Sequence, residues 1–250
     1  MPYHRPRTFS GVKGRFRTLL PVETSRNQIR YESSSGRRNV DWAARYGNSL
    51  GPVDFGVSYF DGTSRDPQFC QDKRSCLNEK GDKLIQQYNL IKQLGLDVQV
   101  TLGAFLGKAE WITREGITTL DNKKSRYHAS VIGGEYAIYG IFESEADLTL
   151  FAEWNHDTRG NAATTPLQND LFLATRYAFN DILDTNITVA IIEDLDYDTR
   201  TLNIEFNRRL SDTFSLTAEA FKFLQEDSKD VQSNNIFNDE YVSLDISYSF

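Results

Sequence analysis

The chain has 250 residues, a net charge of -7 and a mean hydropathy of -0.50, and 39% of its residues are hydrophobic. No stretch reaches the roughly 18 apolar residues that a membrane-spanning helix needs, which excludes a helical membrane protein. Charges of both signs are mixed along the whole chain, so there is no basic stripe to bind phosphates, and nucleic acid is not an expected partner.

The first 20 residues, MPYHRPRTFSGVKGRFRTLL, do not look like an export signal. They are basic but lack an apolar core of about 7–15 residues. Two interpretations stay open at this point: the protein is not exported, or the chain is a mature or truncated form.

Alternation of apolar and polar residues begins near residue 24 and continues to the end of the chain. In residues 90–102, for example, Leu96, Val98 and Val100 share one face of an extended segment, and Asp97 and Gln99 share the other. The same pattern predicts about twelve strands, at residues 27–31, 40–46, 53–59, 90–102, 105–114, 128–138, 146–154, 171–179, 187–192, 201–210, 214–223 and 240–250.

One connection in this series contains both cysteines. Cys70 and Cys76 lie in the polar segment FCQDKRSCLNEKGDK. They are candidates for a small disulfide loop formed in an oxidising compartment, and two free thiols are the alternative.

The predicted connections alternate in length. Short turns are expected at 47–52, at Gly103, and at 142–147, 180–185 and 210–213, and long polar segments at 61–83, 115–125, 156–170, 193–200 and 225–240. In an up-and-down meander all the short turns fall at one rim and all the long loops at the other, as in outer-membrane barrels. A soluble β-sandwich is the alternative, but it has no reason to sort its loops by length. The sequence therefore predicts an all-β, antiparallel up-and-down transmembrane β-barrel of about twelve strands, with its C-terminus at the short-turn rim.

The last segment, EYVSLDISYSF, ends in the middle of a strand pattern. A terminal Phe250 with Tyr248 and other apolar residues at alternate positions before it resembles the C-terminal signal of bacterial outer-membrane β-barrel proteins. The resemblance implies that Tyr248 and Phe250 form an assembly signal that the barrel-assembly machinery binds.

Several internal stretches are similar to a family of uncharacterised porin-like outer-membrane proteins. They are VDWAARYGNSLGPVDFGVSYFDGTSRDP, QLGLDVQVTLG, GGEY, AEWNHDTRG and NDLFLATRYAFND. The resemblance covers most of the chain and implies an integral outer-membrane location with a periplasmic C-terminus. It also implies that residues 24–250 form the barrel, and that residues 1–23 are a remnant of an upstream region or a periplasmic or lumenal arm.

If the apolar faces contact lipid, the opposite faces line the interior of the barrel. By this parity the candidate pore-lining residues carry both charges; they are Lys108, Glu110, Arg114, Glu135, Glu153, Arg176, Glu205, Arg209, Glu219 and Asp245. Such residues form the wall of a wet pore. A paired, hydrogen-bonded network that fills a narrow barrel is the alternative.

Aromatic residues tend to fall near the predicted strand ends, which favours girdles at the two membrane interfaces; they are Trp42, Trp111, Trp154, Tyr46, Tyr59, Tyr139, Tyr177 and Tyr248. The alternative is the ordinary aromatic content of a β-rich protein.

Motifs for catalysis or cofactor binding are weak. His156 precedes Asp157 near the expected outer rim, but the other parts of an omptin-like or serine-hydrolase site are missing, so we do not expect an enzyme. In DLDYD, Asp194, Asp196 and Asp198 have the spacing of a calcium loop, but Thr199 stands where that loop needs Gly, and a solvated acidic hairpin tip is the preferred interpretation. We expect no cofactor and no metal.

The expected function is passive diffusion of small hydrophilic solutes or ions across the outer membrane. The alternative is a non-conducting structural or surface-binding barrel that acts through its long extracellular loops. The lipid bilayer and the assembly machinery are the expected partners, and the sequence does not indicate an oligomeric state.

Overall fold

The computed structural model describes residues 4–7, 24–69, 84–118, 124–163, 165–230, 233 and 236–249, and it is all-β over these ranges. The only helical segments within them are three short 3-10 turns, at Gly36–Arg38, Ile141–Glu143 and Gly160–Ala162. The fourteen strands are β1 (Thr24–Tyr31), β2 (Trp42–Leu50), β3 (Val53–Thr63), β4 (Gln68–Phe69), β5 (Leu84–Tyr88), β6 (Leu90–Leu102), β7 (Phe105–Thr118), β8 (Lys124–Ile138), β9 (Asp147–Asp157), β10 (Asn169–Ala178), β11 (Asn186–Asp194), β12 (Arg200–Arg209), β13 (Phe214–Gln225) and β14 (Tyr241–Tyr248).

Eleven strands form one antiparallel sheet in the order β14-β13-β12-β11-β10-β9-β8-β7-β6-β3-β2. Each neighbour in the sheet is also the next strand of the sheet along the chain, so the predicted up-and-down meander is confirmed. β14 and β2 stand at the two ends of this order, and no pairing joins them within the described residues.

The strand predicted at residues 27–31 lies within β1, but it is not part of the large sheet. β1 pairs in parallel with β5, which also pairs with β4, and these three strands form a separate small sheet. The large sheet therefore has eleven strands, one fewer than the twelve predicted for the meander. The physical reason is that TSRNQIRY offers only Ile29 and Tyr31 as large apolar side chains, too few for a continuous apolar face.

The strands extend further into the long connections than the sequence predicts. β7 and β8 take up most of the predicted connection 115–125, and β11 and β12 leave only residues 195–199 of the connection 193–200. Conversely, residues 139–146 between β8 and β9 form a longer connection than predicted. The lengths of the connections are thus sorted less sharply between the two ends of the sheet than expected.

The chain divides into two compact units. The first contains residues 1–47, 56–96 and 112–128, and the second contains residues 48–55, 97–111 and 129–250.

In the first unit, a short N-terminal segment packs on the small sheet. The ring of His4 makes edge contacts with the rings of Tyr31 and Tyr88, at centroid distances of 5.6 and 4.4 Å. His4 Nε2 lies 3.1 Å from the carbonyl oxygen of Ser64, and the backbone N–H of Arg7 donates to Tyr88 Oη at 2.8 Å. Burial, followed by the nearby charge of Arg65, lowers the pKa of His4. The neutral imidazole is therefore the form that the fold favours.

In the second unit, the C-terminal strand ends at a short turn. Tyr248 is paired with Phe214, their rings lie 5.0 Å apart, and the backbone N–H of Ser249 donates to the carbonyl oxygen of Thr213 at 2.8 Å. The end of β14 therefore lies beside the 210–213 turn. Phe250, Cys70 and Cys76 lie outside the described residues.

The second unit also has an inverted distribution of polarity. Its buried hydrophobic residues are few and mostly small: Ala146, Ala163, Ala190 and Phe223. Its buried polar residues are more numerous: Asn155, Asp157, Gln168, Asp170, Thr185, Asp194, Thr199, Asp230 and Ser233. A soluble domain usually buries its large apolar side chains instead.

Candidate functional site

The polar face of strands β10 to β14 brings several predicted pore-lining residues into one row. Arg176 is paired with Thr188, Thr188 with Glu205, and Glu205 with Glu219. Because directly paired residues of an antiparallel sheet point to the same side, these four side chains share one face. Two carboxylates therefore stand directly opposite each other, with a guanidinium two strands away.

Neutral donors, rather than cations, bind these two carboxylates. Glu219 Oε1 accepts hydrogen bonds from Asn203 Nδ2 at 2.8 Å and from Tyr241 Oη at 2.7 Å. Asn207 Nδ2 donates to Glu205 and Asn207 Oδ1 accepts from Thr217. Both carboxylates are therefore held by amide and hydroxyl groups of their own face.

Two more predicted residues lie on the same face, on neighbouring strands. Glu135 of β8 is opposite Phe151, and Glu153 of β9 is opposite Gly133. Glu153 accepts a hydrogen bond from Asn155 Nδ2 at 3.1 Å. A Cβ on Gly133 would lie 3.0 Å from that of Glu153, so the absence of a side chain leaves room for the carboxylate.

The remaining candidates lie near the sheet ends or on other strands. Arg209 donates to the carbonyl oxygen of Ile182 at 2.7 Å, which ties it to the 179–185 turn, and Asp245 is opposite Thr217. Lys108 and Glu110 are exposed on β7. Arg114 belongs to the first unit, where its Nε donates to Gln93 at 2.7 Å and its guanidinium lies 5.8 Å from the centre of the Tyr127 ring.

The 179–185 turn is held by its own carboxylate. Asp181 accepts hydrogen bonds from the backbone N–H and the hydroxyl of Thr185, both at 2.7 Å. These two bonds lower the pKa of Asp181. The 179–185 turn therefore has a fixed conformation at the end of the polar face where Arg209 lies.

His156 does not use Asp157 as an orienting partner. Its ring stacks on Trp154 at 5.3 Å, and Trp154 Nε1 donates to Asn169 Oδ1 at 3.0 Å. Asp157 instead accepts hydrogen bonds from the backbone N–H and the guanidinium of Arg159. His156 thus stacks on an aromatic ring, and Asp157 forms a local ion pair with Arg159, so the two residues do not act together.

A buried pair of carboxylates that the sequence did not predict lies near the long-connection end of β10 and β11. Asp170 is directly paired with Asp194, and both are nearly fully buried. Asp194 Oδ1 also accepts the backbone N–H groups of Asp196 and Tyr197, which closes the DLDYD turn, while Asp198 is exposed. Spacing within DLDYD drew attention to Asp194, but only the strand register could place Asp170 opposite it.

The first unit contains an open groove that the sequence did not predict. Its volume is about 620 Å³. Three ion pairs line it: Lys124 with Glu32, Arg126 with Glu115, and Lys92 with Asp61. Since each cation has an acidic neighbour, the groove presents mixed charge rather than one sign.

Over the described ranges, no group of three or more His, Cys, Asp or Glu side chains is arranged to hold a metal ion. No helix in this part of the chain is long and apolar enough to span a membrane. Comparisons of the chain with protein-family models, curated proteins and solved structures found nothing similar.

Proposed function

We propose that this chain is an integral outer-membrane β-barrel that acts as a passive channel for small hydrophilic solutes or ions. The observation that carries the proposal is the exposure of the apolar face of the large sheet, opposite a polar face that is largely half-buried. Val242 is 83% exposed, Leu244 67% and Ile204 39%. In water, a continuous apolar surface of this kind is rare on a monomer, whereas lipid would cover it without cost.

Two adjacent cross-strand rows on this face contain no charged residue. The strand register defines the first as Tyr136, Leu150, Thr175, Val189, Ile204, Ala220 and Val242. It defines the second as Ile138, Leu148, Tyr177, Ile187, Phe206, Ala218 and Leu244. An uncharged band over seven strands matches the lipid-facing surface of a barrel.

Charged residues bound this band at both ends. On β12, Arg200 and Arg208 lie on the same side as Leu202, Ile204 and Phe206, and the two arginines are eight residues apart. At about 3.4 Å per residue they are roughly 27 Å apart along the strand. On β12 itself this is close to the apolar band of about 25 Å in outer-membrane barrels. On the neighbouring β13, Lys222 is paired with Leu202 on the same side, so the uncharged band is narrower there. Trp154 near the end of β9 and Tyr177 and Tyr248 near the other end of the sheet fit interfacial anchors.

The polar face would then line the lumen. In the second unit the candidate lining residues include the acids Glu110, Glu135, Glu153, Glu205, Glu219 and Asp245, against the bases Lys108, Arg176 and Arg209. An excess of acidic groups in a narrow pore attracts cations. We therefore expect a modest preference for cations over anions.

Closure of the barrel needs an additional pairing. With eleven antiparallel strands, the two ends of the order, β2 and β14, run in the same direction. They would close either by a direct parallel pair or around one further antiparallel strand. The C-terminal end of β14, beside the 210–213 turn, would face the periplasm, where the assembly machinery binds its substrates.

A second candidate function has its own supporting observation. Phe237, in the long connection between β13 and β14, packs on Phe223 at 5.1 Å, and Asp230 of the same connection is buried. Phe223 shares the polar face with Glu153 and Phe172 by register. A connection that folds onto this face would narrow the lumen and favours a non-conducting, surface-binding barrel.

Single-channel recording in planar bilayers tests the channel directly. We expect discrete conductance steps and, in a salt gradient, a reversal potential that favours cations. The double variant Glu205→Gln/Glu219→Gln should lower this preference, while Asp212→Asn, a charge change in the exposed 210–213 turn, should leave it unchanged. Folded protein that inserts into the bilayer without conducting would reject the channel and support the surface-binding barrel.

A further inference from the structure

Asp170 and Asp194 form a pair of like charges that the fold places out of water. They are only 4% and 5% exposed and lie directly opposite each other on β10 and β11. Side chains at directly paired positions have Cβ atoms about 4.5–5.5 Å apart, and like charges there are destabilising. Among the described residues, neither carboxylate takes part in a salt bridge. The pair therefore needs a shared proton or a bound cation, because the described side chains supply no positive charge to it.

A buried amide points to the same place. Gln168 is 1% exposed, and its Nε2 donates to Asp194 Oδ2 at 2.7 Å. Within the described part of the chain, Gln168 Oε1 is buried and has no hydrogen-bond partner. A buried acceptor without a partner is costly, so an unsatisfied oxygen on an amide that is itself bound to Asp194 indicates a missing ligand.

Asp230 adds further negative charge from a third connection. It is almost fully buried, its Oδ1 accepts the backbone N–H of Ser233, and it lies close enough to Asp170 and Asp194 to act on both electrostatically. Asp230, in the connection after β13, therefore adds to the negative charge that acts on the pair.

We propose that Asp170, Asp194 and Gln168 Oε1 bind a divalent, oxygen-ligated cation, with Ca²⁺ as the ion that fits best. The site offers two carboxylates and a neutral amide oxygen, and it lacks the nitrogen and sulfur ligands that transition metals prefer. Ca²⁺ accepts carboxylates, amide carbonyls and water in flexible geometry, whereas Mg²⁺ demands a near-ideal octahedron. Only two carboxylates act as ligands here. The site is therefore compatible with the finding that no three His, Cys, Asp or Glu side chains of the described residues are arranged to hold a metal ion.

The bound ion would join the long connection before β10 to the one after β11, at one end of the sheet. It would neutralise the opposed carboxylates and satisfy Gln168 Oε1. The consequence is a Ca²⁺-dependent stability of this end of the second unit. Conduction through a pore is not required for it, so failure of one proposal leaves the other intact.

The test is calorimetric titration of CaCl₂ into EDTA-treated, detergent-solubilised protein, combined with thermal unfolding. We expect saturable binding with one ion per chain and a Ca²⁺-dependent rise in Tm. Asp170→Asn keeps the size of the side chain but removes a charged ligand, and it should weaken binding by at least about tenfold. Gln168→Leu, which keeps both carboxylates, should also weaken binding. Asp198→Asn, an exposed acid of the DLDYD turn, is the matched control and should bind as the parent does.

Three outcomes would overturn the site. The first is that the parent shows no saturable Ca²⁺ binding. The second is that Asp170→Asn and Gln168→Leu both bind as the parent does, which would leave only general screening of acidic charge. The third is that the parent ignores Ca²⁺ but gains Tm as the pH is lowered from 8 to 6, which would mean that the two carboxylates share a proton instead.

Discussion

Ile204→Arg is the substitution that separates a lipid-facing strand from a water-facing one most sharply. Ile204 is 39% exposed and stands four residues from both Arg200 and Arg208, about 14 Å along β12 from either charge. It is thus at the centre of the uncharged band. A new guanidinium at that depth in a bilayer should lower the free energy of unfolding by about 2–4 kcal/mol. On a water-exposed sheet the same change would stay within about 0.5 kcal/mol.

The assay is guanidinium chloride unfolding of protein folded into lipid vesicles, followed by tryptophan fluorescence under conditions where unfolding and refolding curves coincide. Ile182→Arg is the matched control, since Ile182 is 89% exposed in the 179–185 turn, outside the band. We expect a change within about 0.5 kcal/mol for that variant. Equal small effects of both substitutions would refute the assignment of this face to lipid.

Three further predictions concern other parts of the chain. Burial lowers the pKa of His4 below 6.5, so its contribution to stability is complete above pH 6.5 and is lost as the pH falls toward the folded-state pKa. The protection factors of the backbone amides of residues 4–7, corrected for the intrinsic pH dependence of hydrogen exchange, should therefore fall from pH 7 to 5, but not in His4→Gln. Gly116 has a φ of +91°, and an added Cβ would lie 2.2 Å from the carbonyl oxygen of Leu90, whereas Gly51 has a φ of +60° with open space around it. In chemical unfolding, Gly116→Ala should therefore lower the free energy of unfolding by more than the roughly 1 kcal/mol expected for Gly51→Ala. Deleting Phe250 should sharply reduce the amount of assembled protein in cells. Detergent-refolded protein should keep nearly the heat resistance of the parent, because burying a Phe is worth only about 1.5–3 kcal/mol. A large loss in both settings would mean that Phe250 acts through packing.

The strands were predictable because each needs one apolar face. The alternation around Leu96 and Ile204 located β6 and β12 without any tertiary information. The alternation could not show which strands pair, and the polar segment around Ile29 therefore counted as a member of the meander although β1 pairs with β5. Pairing partners depend on chain connectivity over long distances, which a local pattern does not contain.

Parity predicts that Arg176, Glu205 and Glu219 share a face, and the strand register places them on one face. The buried pair of Asp170 and Asp194 was not predictable. It depends on the register of two strands across a connection whose length does not fix that register, and on a buried amide eleven residues beyond the end of β9.

The most direct measurement of the central claim is the accessibility of spin labels along β12 in protein reconstituted into lipid vesicles. Single cysteines at residues 202 to 206, in a Cys70→Ser/Cys76→Ser background, each carry a nitroxide whose collisions with oxygen and with a water-soluble nickel complex are compared. We expect that labels at Leu202, Ile204 and Phe206 collide mainly with oxygen, which concentrates in lipid, and that labels at Asn203 and Glu205 collide mainly with nickel. Nickel collisions of equal frequency at all five positions would contradict a lipid-facing apolar surface, and with it the barrel.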